Sequence, residues 1–141
     1  MPRNENYLLD THVWIWLLNG SQRLKKSNTL GKILNASKNS SINISAISIW
    51  ELAMLEVKGR IIFSTEINNW VDQALKAPGL NLIPLLPSIS IDSTRLPGTF
   101  PGDPADRIIV ATARYLQCPI LTADKKILNY SSKGIIKAIK V

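Results

Sequence analysis

Five short apolar runs, set between segments that read as helices, limit the folds open to this chain more than any other feature. The runs are Tyr7-Leu8-Leu9, Ser41 to Ile44, Leu80 to Leu86, Ile120-Leu121 and Gly134 to Ile139. After the first, Thr11 can cap a helix with Val13 to Leu18 in its body, stopped by Asn19-Gly20. Asn28 to Ser37 reads as a second helix with Leu30, Ile33 and Leu34 on one face, followed by a turn at Asn39-Ser40. Ser45 to Lys58 makes a third, with Ile49, Trp50, Leu52, Ala53 and Leu55 available for packing. After an extended Ile61-Ile62-Phe63, Ser64 or Thr65 starts a helix through Trp70, Val71 and Leu75, which Pro78-Gly79 stops. Ser88 to Leu96 predicts a short helix, Pro97 to Gly102 a loop, and Lys125 to Tyr130 another short helix. Short apolar strands alternating with helices imply an α/β fold, a parallel sheet covered on both faces. In such sheets ligands bind beyond the carboxyl ends of the strands.

The stretch from Gly102 to Ala113 reads as the start of a buried helix that ends near Cys118-Pro119. Asp103 suits the N-cap, where a carboxylate accepts from the unpaired N–H groups of the first turn. Pro104 follows at the first helical position, where its missing N–H costs nothing. Asp106 falls two residues later, where a carboxylate suits the positive end of the helix dipole. The run from Ile108 to Ala113 is apolar nearly all round, which predicts burial.

Acids stop at matching places elsewhere. Asp10 follows Leu8-Leu9, and Asp124 follows Ile120-Leu121 and Thr122. Asp103 and Asp106 open a helix that leads into the fourth strand, and Glu51 lies early in the helix after the second. Each has a local alternative, capping alone; Ser48 and Glu51 have the spacing of a capping box. Together, however, these five are half of the chain's 10 acids, and all map to one rim of the sheet. Two like charges about 4 Å apart repel by roughly 4 kcal/mol at an effective dielectric near 20. Protonation or a cation must relieve that, and clustered carboxylates suit hard ions such as Mg²⁺ or Mn²⁺.

Composition narrows the setting. A length of 141 residues corresponds to a single domain over 1–141 with a real core. The net charge of +7, from 17 basic and 10 acidic residues, permits a polyanionic partner. An acidic protein partner or plain solubility would also fit. No apolar run has the length to cross a bilayer, and the N-terminal stretch carries Asp10 and His12, which predicts no signal peptide and no membrane. The single Cys118 suits a reducing, cytoplasmic setting and reads as a small core residue.

Four segments, in order along nearly the whole chain, resemble the motifs of PIN-domain ribonucleases, with the closest likeness to VapC-type toxins of prokaryotic toxin–antitoxin pairs. They are Tyr7-Leu8-Leu9-Asp10-Thr11-His12-Val13-Trp14, Ser48-Ile49-Trp50-Glu51-Leu52-Ala53, Asp103-Pro104-Ala105-Asp106-Arg107 and Leu121-Thr122-Ala123-Asp124. The resemblance implies a three-layer α/β/α fold with a central parallel sheet of about five strands. It implies a Mg²⁺- or Mn²⁺-dependent endoribonuclease with RNA as substrate, a cognate VapB-like antitoxin as partner, and a homodimer. By that likeness Asp10, Glu51, Asp106 and Asp124 match the metal-site acids, Asp103 an additional acid, and Thr122 a hydroxyl beside the site. Thr11 and Arg107 stand next to those acids as supporting candidates. The loop departs from the pattern: Pro101-Gly102 and Ala105 stand where this branch often has basic residues or His and an aromatic.

Other residues have two readings each. His12 could touch substrate or pack at the helix start, and the latter is favoured. Trp14, Trp16, Trp50 and Trp70 could stack bases, with core or interface packing favoured. Arg107 could bind a phosphate or pair with a neighbouring acid. Lys125-Lys126 is most simply a solvated face. Two other function classes compete with the nuclease: a phosphate-handling α/β domain and a non-catalytic binding module. A receiver would need an acid after its middle strand, where Pro87-Ser88 stand, and a haloacid-dehalogenase-like phosphatase would need an acid at His12.

Overall fold

The computed structural model describes residues 6–20, 29–38 and 41–141. Its first strand, β1 (Tyr7–Leu9), is wholly buried and runs into helix α1 (Thr11–Asn19). Asp10 caps that helix, its side chain accepting from the Thr11 N–H, so the cap lies one residue before the Thr11 read from sequence. Gly20, in the left-handed conformation at φ 62°, ends the helix as its position after Asn19 predicts. Helix α2 (Thr29–Ser37) buries Ile33 and Ala36; Asn28, the Asn39-Ser40 turn and the Leu34 side chain lie outside the described residues.

Strand β2 (Ile42–Ser45) leads into α3 (Ala46–Val57), capped by the Ser45 side chain on the Ile47 N–H. The capping-box alternative for Ser48 and Glu51 is therefore removed: both residues lie inside the helix and bond to Thr11. Helix α4 (Ile67–Leu75) begins at Glu66, whose carboxylate accepts from the N–H groups of Asn68 and Asn69, in place of Ser64 or Thr65. Strand β3 (Leu80–Ile83) stops at Pro84, short of the predicted Leu86, because proline has no N–H for the ladder. Gly79 before it has φ 78°, and any β-carbon there would collide with the Ser37 backbone. Helices α5 (Pro87–Thr94) and α6 (Pro104–Leu116) follow. The chain closes with β4 (Ile120–Thr122), α7 (Lys125–Ser131) and β5 (Ala138–Lys140). The last strand is shorter than Gly134 to Ile139 because it pairs only with the three residues of β4.

All four strand pairings are parallel, in the order β3-β2-β1-β4-β5. Leu8 pairs in register with Ile120, and Leu9 with Leu121. Alternation sends these pairs to opposite faces. Leu8 and Ile120 join Ile89, Ile109, Val110 and Ile127 in one core, from α5, α6 and α7. Leu9 and Leu121 join Val13, Trp14, Ile33 and Leu52 in the other, from α1, α2 and α3. The result is the three-layer α/β/α arrangement with a five-stranded parallel sheet. Cys118 is free and buried in the first of these cores.

The strand order also locates a crevice. From β1 the chain builds outward to β2 and β3, then returns to lay β4 and β5 on the opposite side. The direction reverses between β1 and β4, and the carboxyl ends of those two neighbours mark the switch point at which such sheets bind ligands. Asp10 follows β1 directly, and Thr122 ends β4.

Candidate functional site

The site grows out of four helix starts. Asp10 caps α1, Asp103 caps α6 and Asp124 caps α7, while Glu51 projects from the second turn of α3. Asp10, Asp103 and Asp124 are thus caps and members of the cluster at once. Asp10 is buried, its Oδ1 accepting from the Thr11 N–H at 2.8 Å and its Oδ2 from the Thr122 hydroxyl at 2.7 Å. The Thr122 oxygen in turn accepts from the Asp124 N–H at 2.9 Å, so one buried hydroxyl ties together both switch-point acids.

A second hydroxyl chain serves Glu51. The Thr11 hydroxyl donates to Glu51 Oε1 at 2.6 Å and lies 2.8 Å from the Ser48 hydroxyl. Thr11 has a single hydroxyl proton, so Ser48 supplies the proton of the second bond. Ser48 is fully buried. The local spacing offers Ser48 only a capping-box role, whereas its partner lies 37 residues away on α1.

Burial and mutual repulsion hold three of the acids, Asp10, Glu51 and Asp106, toward their neutral forms. Glu51 is pushed up to about 7, first by burial and then by the charges of Asp10, Asp106 and Asp103, against the Thr11 hydrogen bond. Asp106 is pushed up to about 6, first by burial and then by Asp103, Asp124 and Asp10. Lys126 pulls the other way, its Nζ 3.8 Å from Asp106 Oδ2, so this lysine reaches the cluster and is more than a solvated face. Asp10 is raised by burial, opposed by its bonds from Thr122 and Thr11. The charges of Asp10, Asp103 and Asp106 act on Glu51, and those of Asp10, Asp103 and Asp124 on Asp106, so the structure brings all five acids into one field.

Their stations differ. Asp103 is exposed, and its Oδ1 accepts from the Asp106 N–H at 2.9 Å. Asp124 Oδ1 accepts from the Lys126 and Ile127 N–H groups, leaving Oδ2 without a hydrogen bond among the described residues. Gly102 admits the α6 start closely: a β-carbon there would stand 2.8 Å from Asp106 Cβ. Arg107 makes no ion pair with an acid among the described residues. Its guanidinium donates to the carbonyls of Ser93 and Phe100, both at 2.8 Å, and so pins the loop before α6. His12 is exposed with its ring against Trp16, and Trp14 and Trp70 pack edge-on in the core. Trp50, expected to pack, is 55% exposed.

The donors converging here are all oxygens, the set that hard cations select. Among the described residues no three acidic, histidine or cysteine side chains form a ready-made cage for one ion. Mg²⁺ does not require one, since it is held through one or two carboxylates and keeps several waters. The unrelieved repulsion at Glu51 and Asp106 is what such an ion would cancel.

Residues 7–133 match the family model of the PIN domain. The chain is 33% identical to Ribonuclease VapC22 of Mycobacterium tuberculosis over 123 residues, 87% of this chain and 90% of that protein. Its fold resembles VapBC2 from Rickettsia felis, solved bound to a promoter DNA fragment, with TM-score 0.66 and 17% identity over 95% of this chain and 97% of that one. It also resembles a toxin–antitoxin complex from Klebsiella pneumoniae, with TM-score 0.58 and 22% identity over 86% and 88% of the two chains. The chain belongs to the PIN domain family. That membership sets aside the receiver and the phosphatase. Among the described residues, no helix is long and apolar enough to cross a membrane.

Proposed function

We propose that this chain is a divalent-cation-dependent endoribonuclease whose working carboxylates are Asp10, Glu51, Asp106 and Asp124. The observation that carries the reading is the crowding of these acids at the β1/β4 switch point, with Glu51 and Asp106 pushed up to about 7 and about 6. Asp10, Asp106 and Asp124, with Glu51, would hold Mg²⁺ or Mn²⁺, which when bound activates water and neutralises charge on phosphodiester oxygens. Thr122 holds Asp10 in one rotamer, and Ser48 through Thr11 does the same for Glu51. Asp103 acts mainly as the α6 cap, and Arg107 as a brace for the loop that ends at it.

The likeness to a protein named as a ribonuclease, and to toxin–antitoxin complexes, supports a toxin role with RNA as substrate and a VapB-like antitoxin as partner. A homodimer, a single nuclease unit over 1–141 and a cytoplasmic setting complete the proposal. It is tested by incubating labelled RNA with the purified chain in Mg²⁺, Mn²⁺ or EDTA beside Asp106→Asn. Cleavage by the wild type alone, and only with a cation, is the expected result; equal cleavage by Asp106→Asn would refute the assignment.

A further inference from the structure

Beside the carboxylates lies a groove of about 250 Å³ whose wall includes Glu51 and Asp103 themselves. Trp50 of α3, Lys58 at the C-cap of that helix, Pro104 of α6 and His12 of α1 line it with them. A single exposed aromatic is ordinary on a protein surface. Here the indole shares its groove with a second ring and with a lysine that has no carboxylate partner within salt-bridge distance among the described residues. Trp14, by contrast, is only 1% exposed and belongs to the core.

We infer that this groove holds a nucleobase of single-stranded RNA, stacked on the Trp50 indole, with Lys58 attracting an adjoining phosphate. The inference rests on the ribonuclease reading and adds to it a substrate class and a positioning surface. Aromatic faces beside a cation are the elements with which proteins hold single strands, because every base has a π-face. Trp50 and Glu51 are consecutive on α3, so a base held at the first places its neighbouring phosphate within a nucleotide of the second. The whole-chain net charge of +7 is compatible with a polyanionic occupant, and within the groove Lys58 supplies the cation for it. Stacking tolerates any sequence, so this surface would select unpaired RNA over duplex, and would contribute to affinity more than to base identity.

The test is fluorescence anisotropy with a short, labelled single-stranded RNA of mixed sequence, in EDTA so that binding is read without cleavage. The full chain is compared with Trp50→Ala, Trp50→Phe and Lys58→Ala; Trp50 is exposed, so its removal leaves the fold intact. Trp50→Ala is expected to weaken binding by about 5- to 150-fold, and Trp50→Phe to restore most of the loss. Lys58→Ala should flatten the dependence of affinity on salt by about one phosphate contact. An abasic strand of the same length should bind wild type and Trp50→Ala alike. Unchanged RNA affinity in Trp50→Ala, equal weakening toward the abasic strand, or no RNA binding by the wild type would each overturn the groove. So would a Trp50→Ala variant that loses only an antitoxin and keeps RNA. A parallel cleavage assay in Mn²⁺ separates the two readings. RNA cut with equal KM by wild type and Trp50→Ala would remove the groove and leave the nuclease; RNA bound through Trp50 but never cut would do the opposite.

Discussion

The Thr122 hydroxyl donates to Asp10 Oδ2 at 2.7 Å across the junction of β4 and β1, linking residues 112 positions apart. The same oxygen accepts from the Asp124 N–H, so it cannot rotate without breaking one of the two bonds. Two acids from distant segments are thereby fixed relative to each other before any ligand arrives.

Thr122→Val keeps the volume and deletes both bonds. It leaves a buried carboxylate oxygen and a backbone N–H unsatisfied, which costs about 1–3 kcal/mol by denaturant unfolding. Cleavage should fall by roughly 10–100-fold, the range for lost support of a metal ligand. A variant with full activity would show that the bond positions nothing of consequence.

Glu51 rises from an ordinary 4.5 to about 7 in the fold, and Asp106 from 3.8 to about 6. Between those limits the folded chain holds more protons than the unfolded one, so unfolding releases them and stability falls as pH rises. In EDTA the melting temperature should therefore be higher near pH 5 than near pH 7.5, as far as these groups decide it. Millimolar Mn²⁺ should raise it at the upper end, by about 2.7 kcal/mol of stability at a hundredfold excess over Kd. Asp124→Asn should blunt that rise. A melting temperature indifferent to Mn²⁺ at pH 7.5 would count against a cation at these acids.

Asp103 and Asp106 should separate cleanly. Asp103→Asn keeps a cap and should keep stability and measurable cleavage, while Asp103→Ala should lose about 0.5–2 kcal/mol. Asp106→Asn removes a charge from a crowded field, so the metal-free protein should be as stable as before or more so, with cleavage abolished. An inactive Asp103→Asn beside an active Asp106→Asn would reverse the two roles.

Arg107→Ala removes two charged hydrogen bonds to the carbonyls of Ser93 and Phe100. A stability loss of about 1.5–3 kcal/mol is expected, with kcat retained in the fraction that stays folded. Arg107→Lys should not rescue, because one ammonium lacks the fork that reaches both carbonyls. A kcat loss without a stability loss would return Arg107 to the phosphate-binding role.

What was legible in the sequence was what neighbours along the chain determine. Asp103, Pro104 and Asp106 carry the start of α6 in their own order, and the acids after Leu9 and Leu121 mark strand ends whose burial follows from their apolar runs. The sequence is less legible where a local pattern competes with a distant partner. Ser48 and Glu51 have capping spacing, yet both turn to Thr11 on another helix. Arg107 sits among acids in sequence and bonds to carbonyls across a loop. Trp50 admits core or interface packing on its apolar character, and its exposure at the groove beside α6 removes only the core reading.

The proposed activity is cleavage of RNA, with a divalent cation, by the carboxylates clustered at the β1/β4 switch point. Its most direct measurement is the initial rate of cleavage of a labelled RNA by wild type and Asp10→Asn, each in Mn²⁺ and in EDTA. Cleavage is expected from the wild type in Mn²⁺, with EDTA and Asp10→Asn each reducing it to background. Cleavage by the purified chain that survives both EDTA and Asp10→Asn would contradict the claim.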